Sequence, residues 1–451
     1  MATIAPFRGM TYNFNRLVEL SRVVAPPYDV ISEKEQEEYY QSDPYNVIKL
    51  ILGKKKTGDS DWDNRYTRAA DYLSRWEMED VLIRSDYPCM YLSSLTYDPE
   101  DGRGPKVRWG LIALVQIEDE GSGGILPHER TFSAHKIDRL KLMRACNAQL
   151  SQIFSLYEDH ENRVLSSLNK VINVSPQVSF DFKDGTQHQV WIIDDQSIFK
   201  EVAQTLHDKP ILIADGHHRY ETSRDFRNIM RARYGSRPPN RAYEFVMMYL
   251  TNMEDQGLTI LPSHRLLKGC AGFELGPFLE KLEQWFEISE VPFSKSVGPE
   301  RTIKLKSILE DRGRHTSAIG FYLHGGEKCY ILSLKPTARD EMGDDLHPSL
   351  KKLDVLVLSR FIFQKSFGFS RGDLDDEEIF HFQSDIAKTI SMVDHGSYQM
   401  AFLLNSTRIE HVKEVTGHSL IMPRKSTYFY PKVLTGLVFN KIDPYEIIQI
   451  S

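Results

Sequence analysis

Apolar positions along the chain fall into two spacings, and the spacing predicts the elements. Between residues 61 and 78, Tyr66, Ala69, Ala70, Leu73 and Trp76 recur every three or four positions, which predicts a helix. Residues 90–97 and 107–117 are instead short, dense apolar runs. They are separated by the turn-rich Asp98-Pro99-Glu100-Asp101-Gly102-Arg103-Gly104-Pro105, so the pair predicts a hairpin with a long tip. Further short apolar runs at 47–52, 189–193, 210–214, 245–250 and 398–404 predict strands. Helices are predicted from the Ser32-Glu33-Lys34-Glu35 start towards Tyr40, over 136–148, and over the basic, amphipathic stretch 220–234. Pro26-Pro27 forces residues 23–31 into an extended loop, and 54–59 is a polar loop. Residues 258–262 read as a boundary, and beyond Phe273 helix and strand patterns alternate again up to a Lys- and Tyr-rich segment at 422–432. The expected class is therefore α/β in the mixed α+β sense, with an N-terminal region 1–265 and a C-terminal region 266–451. No internal repeat suggests an array.

Composition narrows the function classes. The 451 residues are 41% hydrophobic and 26% charged, as in ordinary globular proteins. A net charge of -7 provides no broad basic field for nucleic acid or anionic lipid. The start Met1-Ala2-Thr3-Ile4-Ala5-Pro6-Phe7-Arg8 lacks a leader pattern, and no window approaches the ~20 apolar residues of a bilayer span, so a cytoplasmic protein is expected. Cys89, Cys146, Cys270 and Cys329 are widely spaced, which suggests neither a zinc knuckle nor a disulfide framework.

The chemistry concentrates at Ala214-Asp215-Gly216-His217-His218-Arg219. An apolar strand that turns through Asp215-Gly216 into a helix places backbone N–H groups and the positive end of the helix dipole at one point, where anions bind. Gly216 permits the tight turn, His217 and His218 are directed donors, and Arg219 suits bidentate contact with phosphate. Asp215 either orients a histidine or holds a metal. Adjacent helical residues point about 100° apart, so the two histidines do not form a metal pair of the i, i+4 kind. A turn in which Asp-Gly and the histidines merely cap and pack is the plainer reading.

Asp-Gly-His-His-Arg resembles the phosphate-site motif of the ParB/sulfiredoxin superfamily, which includes archaeal ADP-dependent free-serine kinases. A wider set is similar to the domain-of-unknown-function 1015 family: Ala5-Pro6-Phe7-Arg8-Gly9, Ala25-Pro26-Pro27-Tyr28-Asp29-Val30-Ile31, His128-Glu129-Arg130-Thr131, residues 214–221, Leu261-Pro262-Ser263-His264-Arg265 and Met422-Pro423-Arg424-Lys425-Ser426-Thr427. The resemblance implies a ParB/sulfiredoxin-like phosphate-binding core with further α/β regions. It also implies a phosphotransferase that converts free L-serine to O-phosphoserine, with pyrophosphate, ADP or ATP as donor, placing the chain in serine and cysteine metabolism. Such a kinase needs a phosphate cradle, usually Mg²⁺, a base and an acceptor clamp. The candidates are Gly216, His217, His218 and Arg219 for the cradle, with Lys425, Ser426, Thr427 and Lys432 as further phosphate contacts. Glu129, Asp29 and Asp215 are the catalytic carboxylates, and Arg8, His128 and Thr131 the substrate contacts. The rival readings are a solvated charged loop at 128–139, a rigid turn at Pro27-Tyr28-Asp29, and a half-buried strand at Tyr428-Phe429-Tyr430.

No Gly-x-x-x-x-Gly-Lys-Ser/Thr loop, no Gly-x-Gly-x-x-Gly after a strand and no Gly-x-Ser-x-Gly elbow is present. A P-loop kinase, a Rossmann oxidoreductase and an α/β-hydrolase are thus unsupported. The other function classes are a ParB-like nucleotide- or DNA-associated binding protein, against which the acidic charge argues, and a phosphatase.

Overall fold

The computed structural model describes the chain apart from residues 1, 17–18, 100–103, 120, 130–132, 293–298, 377 and 451, and apart from the side chains of 133–134, 299 and 375. Contacts divide it into two compact units, one of residues 1–127, 131–259 and 431–451, the other of 128–130 and 260–430. The chain passes from the first unit to the second after residue 259, and residues 431–451 belong to the first unit. Helices and sheets occur in both, a mixed α+β protein.

The first unit is built on a nine-stranded sheet. Its strands are β1 (Ile4–Ala5), β2 (Met90–Tyr97), β3 (Lys106–Gln116), β4 (Ile125–Leu126), β5 (Ile153–Tyr157), β6 (Val178–Asp181), β7 (Gln187–Ile193), β8 (Ile211–Asp215) and β9 (Phe245–Asn252). Their order is β4-β8-β5-β9-β3-β2-β7-β6, with β1 also on β3. β2 and β3 form the expected antiparallel hairpin, in register from Tyr91↔Ile112 to Tyr97↔Lys106. β8 runs parallel to β4 and antiparallel to β5, and β9 runs parallel to β5. Successive side chains point to opposite faces. One face therefore carries Leu92, Leu111, Ala113, Trp191, Val246, Met248 and Leu250 into the main apolar core. The other carries Ser93, Arg108, Tyr249 and Phe154, all buried.

The helices of this unit are set by their caps and apolar stripes. The helices of this unit include α1 (Glu33–Ser42), α2 (Ile48–Ile51), α3 (Arg65–Met78), α4 (Ser133–Cys146), α5 (Gln196–Leu206) and α6 (His217–Tyr234). Ser32 and Glu35 form a reciprocal capping box at α1, and Asn64 with Thr67 does the same at α3. Asp195 caps α5, which sends Ile198, Phe199, Val202 and Leu206 into the core. The predicted strand at 47–52 is instead the short helix α2. Its start is fixed by Asn46, whose Oδ1 accepts from Ile48 N at 2.9 Å, and Ile48, Leu50 and Ile51 are all buried.

The second unit holds a six-stranded sheet of β10 (His264–Leu267), β11 (Phe286–Pro292), β12 (Ala318–Leu323), β13 (Lys328–Leu334), β14 (Phe380–Gln383) and β15 (Met400–Leu403), in the order β11-β13-β12-β15-β10-β14. Its neighbours pair antiparallel. Phe278, Phe321, Phe361, Phe363 and Phe402 fill an aromatic core on one face. Among the described residues of the chain no helix is long and apolar enough to cross a membrane.

Candidate anion-binding turn

β8 ends at Asp215, the backbone turns through Gly216 at φ 98°, and α6 runs for eighteen residues from His217. That left-handed conformation is open to glycine at little cost and strained for most other residues. Glycine meets a second need as well. A Cβ at this position would lie 2.8 Å from Arg219 Nε and 2.9 Å from its Cζ, because the guanidinium folds back over the turn. Helices usually begin with a Ser, Thr, Asp or Asn cap and acids in the first turn. α6 has no side-chain cap and no acid there, and places His217, His218 and Arg219 at the positive end of the dipole instead. Such a start holds excess positive potential, which an anion relieves.

Asp215 organises the cations. Its Oδ2 accepts from Arg219 Nη2 at 2.5 Å and its Oδ1 from Lys432 Nζ at 2.6 Å. Arg219 Nη1 also donates to Gln152 O. Burial pushes the Asp215 carboxyl up, but Lys432, Arg219 and His217 outweigh it and hold the group well below the ordinary carboxylate range. With both oxygens engaged by cations, Asp215 suits the orienting role rather than that of a proton acceptor.

The loop before α1 and the helix α4 complete the surroundings. Burial, helped by the nearby His135 ring and opposed by Asp29 and Glu221, lowers His218 to about 4, so His218 is neutral at pH 7. The two imidazoles meet edge to face, with centroids 5.1 Å apart. Burial raises the Tyr28 hydroxyl to about 12, with Asp29 adding to the shift and Arg139 and Arg219 opposing it. The Arg139 guanidinium lies 4.0 Å from the Tyr28 ring centroid and donates to Ile51 O at 2.7 Å. Lys136 pairs with Glu221 of α6 at 2.8 Å. Asp29 is exposed, within electrostatic reach of His218.

The expected residues therefore form two groups. Asp29, Asp215, Gly216, His217, His218, Arg219 and Lys432 belong to the first unit, and the geometry above brings them together. Arg8 is also in this unit, half-buried, with its Nε–H on Ser85 O at 3.0 Å. His128, Glu129, Lys425, Ser426 and Thr427 belong to the second unit. There His128, fully buried, shares a 3.0 Å hydrogen bond with Thr427, and the charge of Glu129 acts on the buried Arg265, whose Nη2 donates to Lys425 O at 2.9 Å. Lys425 is exposed at φ 57°, whereas Ser426 is 2% exposed and donates its hydroxyl to Pro423 O at 2.5 Å, an internal bond that fixes the turn. Thr131 lies outside the described residues.

Tyr28, His135, Arg139 and Gln152 were not among the expected site residues. The sequence carried a signal for two of them: Tyr28 sits beside Asp29 in the Pro27-Tyr28-Asp29 turn, and Arg139 ends the charged stretch that starts at Lys136. Among the described residues no three His, Cys, Asp or Glu side chains converge in a way that would cage a metal ion.

Several solved structures are similar to this chain at low identity. A conserved hypothetical protein from Pyrococcus furiosus is 10% identical with a TM-score of 0.32, over 70% of this chain and 90% of that one. A free serine kinase in complex with AMP is 12% identical with a TM-score of 0.32, over 70% of this chain and 86% of that one. SbnI with C-terminal truncation from Staphylococcus aureus is 10% identical with a TM-score of 0.33, over 72% and 85%. Likeness at this level carries no functional weight. No curated protein matches the sequence. The profile of the family described as "Protein of unknown function (DUF1015)" matches residues 4–356, well over half of the sequence, and the chain belongs to that family.

Proposed function

We propose that the protein is a phosphotransferase that moves a phosphoryl group from pyrophosphate, or from ADP or ATP, to the hydroxyl of a small metabolite, with free L-serine as the leading acceptor. The observation that carries this reading is the pairing of Arg219 and Lys432 on one carboxylate at the uncapped, acid-free start of α6. Two cations held side by side at a helix N-terminus are complementary to a diphosphate, and the negative charge that spreads over the phosphoryl oxygens during transfer is stabilised by the same groups. His218, neutral at pH 7, adds a hydrogen bond without adding charge.

In this mechanism the acceptor oxygen forms the new bond to phosphorus, the bridging P–O bond of the donor breaks, and phosphate or the shortened nucleotide leaves with the bonding pair. The hydroxyl proton passes to a carboxylate. Asp29, exposed beside the turn, is the base we favour, and Glu129 is the other carboxylate that the sequence offers for the role. Mg²⁺ is usually held by one or two carboxylates together with substrate phosphates, so Asp29 is also the residue that would hold an ion entering on the donor.

The direct test incubates the protein with L-serine, Mg²⁺ and each of pyrophosphate, ADP and ATP, and measures O-phosphoserine. Formation of the product with at least one donor is expected, together with a melting temperature that rises with pyrophosphate concentration. Absence of both retires the reading. Phosphate release that does not depend on any acceptor would replace it with a phosphatase.

A further inference from the structure

On the face of the nine-stranded sheet opposite its main apolar core lies a guanidinium that the turn does not use. Arg108 of β3 is 1% exposed. Its Nη1 donates to Pro431 O at 2.7 Å, and the charge lies over the rings of Phe154 and Tyr249, 4.7 and 5.6 Å from their centroids. Among the described residues Arg108 makes no ion pair, and its Nε has no hydrogen-bond partner. The field of Arg108 reaches Asp255, but that carboxylate accepts from Trp109 N at 3.2 Å and Gly257 N at 2.7 Å, and burial pushes its pKa up. A buried charge without a counter-ion is costly, and a planar guanidinium is suited to a bidentate carboxylate.

Two more buried polar atoms on this face have no hydrogen-bond partner, Tyr249 Oη and Gln152 Oε1. Tyr249 Oη lies beside Arg108 and Ser93 without a well-aligned bond to either. Gln152 Oε1 is an acceptor and asks for an N–H or O–H. Register places the group next to the turn, since Asp215 pairs with Phe154 and Phe154 with Tyr249, two strand spacings of about 4.8 Å each. Arg219 reaches Gln152 O and Arg108 reaches the Phe154 ring, so both guanidinia lie at the start of β5. Pro431, which covers Arg108, is followed directly by Lys432, which holds Asp215.

We propose that Arg108 anchors a carboxylate of the acceptor, so that the acceptor is a small hydroxylated carboxylate. A donor N–H or O–H on that molecule meets Gln152 Oε1, and its reacting hydroxyl faces the phosphoryl donor at the turn. The inference rests on the phosphotransferase reading for its chemistry, though not for the binding of the carboxylate.

The experiment compares L-serine with ethanolamine, which keeps the hydroxyl and amine and lacks the carboxylate, and adds D-glycerate as a carboxylate without the amine. Thermal melting of the full chain is expected to respond to L-serine and D-glycerate and not to ethanolamine. In the transfer assay, Arg108→Lys is expected to raise the KM for L-serine on the order of 100-fold with the donor KM unchanged. Tyr249→Phe, which keeps the ring, gives a smaller rise of the same kind and serves if the lysine variant does not fold. Equal responses to L-serine and ethanolamine, an unchanged acceptor KM in folded Arg108→Lys, or a rise in donor KM instead would each overturn the assignment. If no donor supports transfer, the phosphotransferase reading fails by itself, and carboxylate-dependent melting in wild type but not in Arg108→Lys still decides the anchor.

Discussion

At the scale of single residues, the turn is over-determined by Gly216. Gly216→Ala must hold a side chain in the left-handed region and push its Cβ into the Arg219 guanidinium. The conformational part alone costs about 1–2 kcal/mol. The expected outcome is a lower urea midpoint together with weaker pyrophosphate binding, because Arg219 must leave its place over the turn. Lys432→Met tests the other cation. Asp215 keeps Arg219, the fold persists, and pyrophosphate affinity falls by about tenfold or more, as for loss of one charge-assisted contact. The base is tested by Asp29→Asn against Glu129→Gln under saturating donor. The variant whose turnover falls while donor binding stays near normal identifies the proton acceptor, and Asp29 is the expected one.

At the scale of elements, the close fit of β3 against β9 makes a sharp prediction. The Tyr249 ring occupies the space beside Gly110, where a Cβ would come within 1.9 Å of ring carbon Cζ. Gly110→Ala is therefore expected to destabilise by about 1–3 kcal/mol, as overpacking does in a dense core, and to appear as a lower denaturant midpoint with little change in the slope. The same elements show what the sequence made legible. β2, β3, β8, β9 and α6 are readable because each is a uniformly apolar or periodic run bounded by turn residues, and the turn at 215–219 is readable because its charges are consecutive. The run at 47–52 misleads because a short apolar stretch buried on several sides has no usable period, and what turns it into a helix is the Asn46 side chain, which accepts from Ile48 N. The Arg139 shelf over Tyr28 and the buried Arg108 were not readable, since each depends on which residues distant in sequence the sheet and helices bring together.

At the scale of the whole molecule, acid sensitivity follows from histidines buried in neutral form in the first unit. Burial lowers His218 to about 4 and His188, which is stacked on Phe180, to about 3. Both pKa values are depressed below the unfolded value of 6.5, so as pH falls below that point the unfolded chain takes up protons that the folded unit does not. Stability is lost as pH drops from about 6.5 towards these folded values, and it is regained on return. For His188 the loss between pH 6.5 and 5 is about 2 kcal/mol. Denaturation midpoints of the full chain measured at pH 7, 6 and 5 are expected to fall steadily, and replacing His188 with Gln should flatten the fall. Midpoints independent of pH over that interval would contradict the burial described here.

Lys432 lies more than two hundred positions beyond the carboxylate it grips, on a stretch that rejoins the first unit after the second has been built. During synthesis, the strand and helix that flank Gly216 emerge from the ribosome long before their second cation does. A nascent or prematurely terminated chain that already carries the glycine turn therefore lacks one of the two cations paired with Asp215, and the proposed diphosphate grip is complete only once translation has passed residue 432.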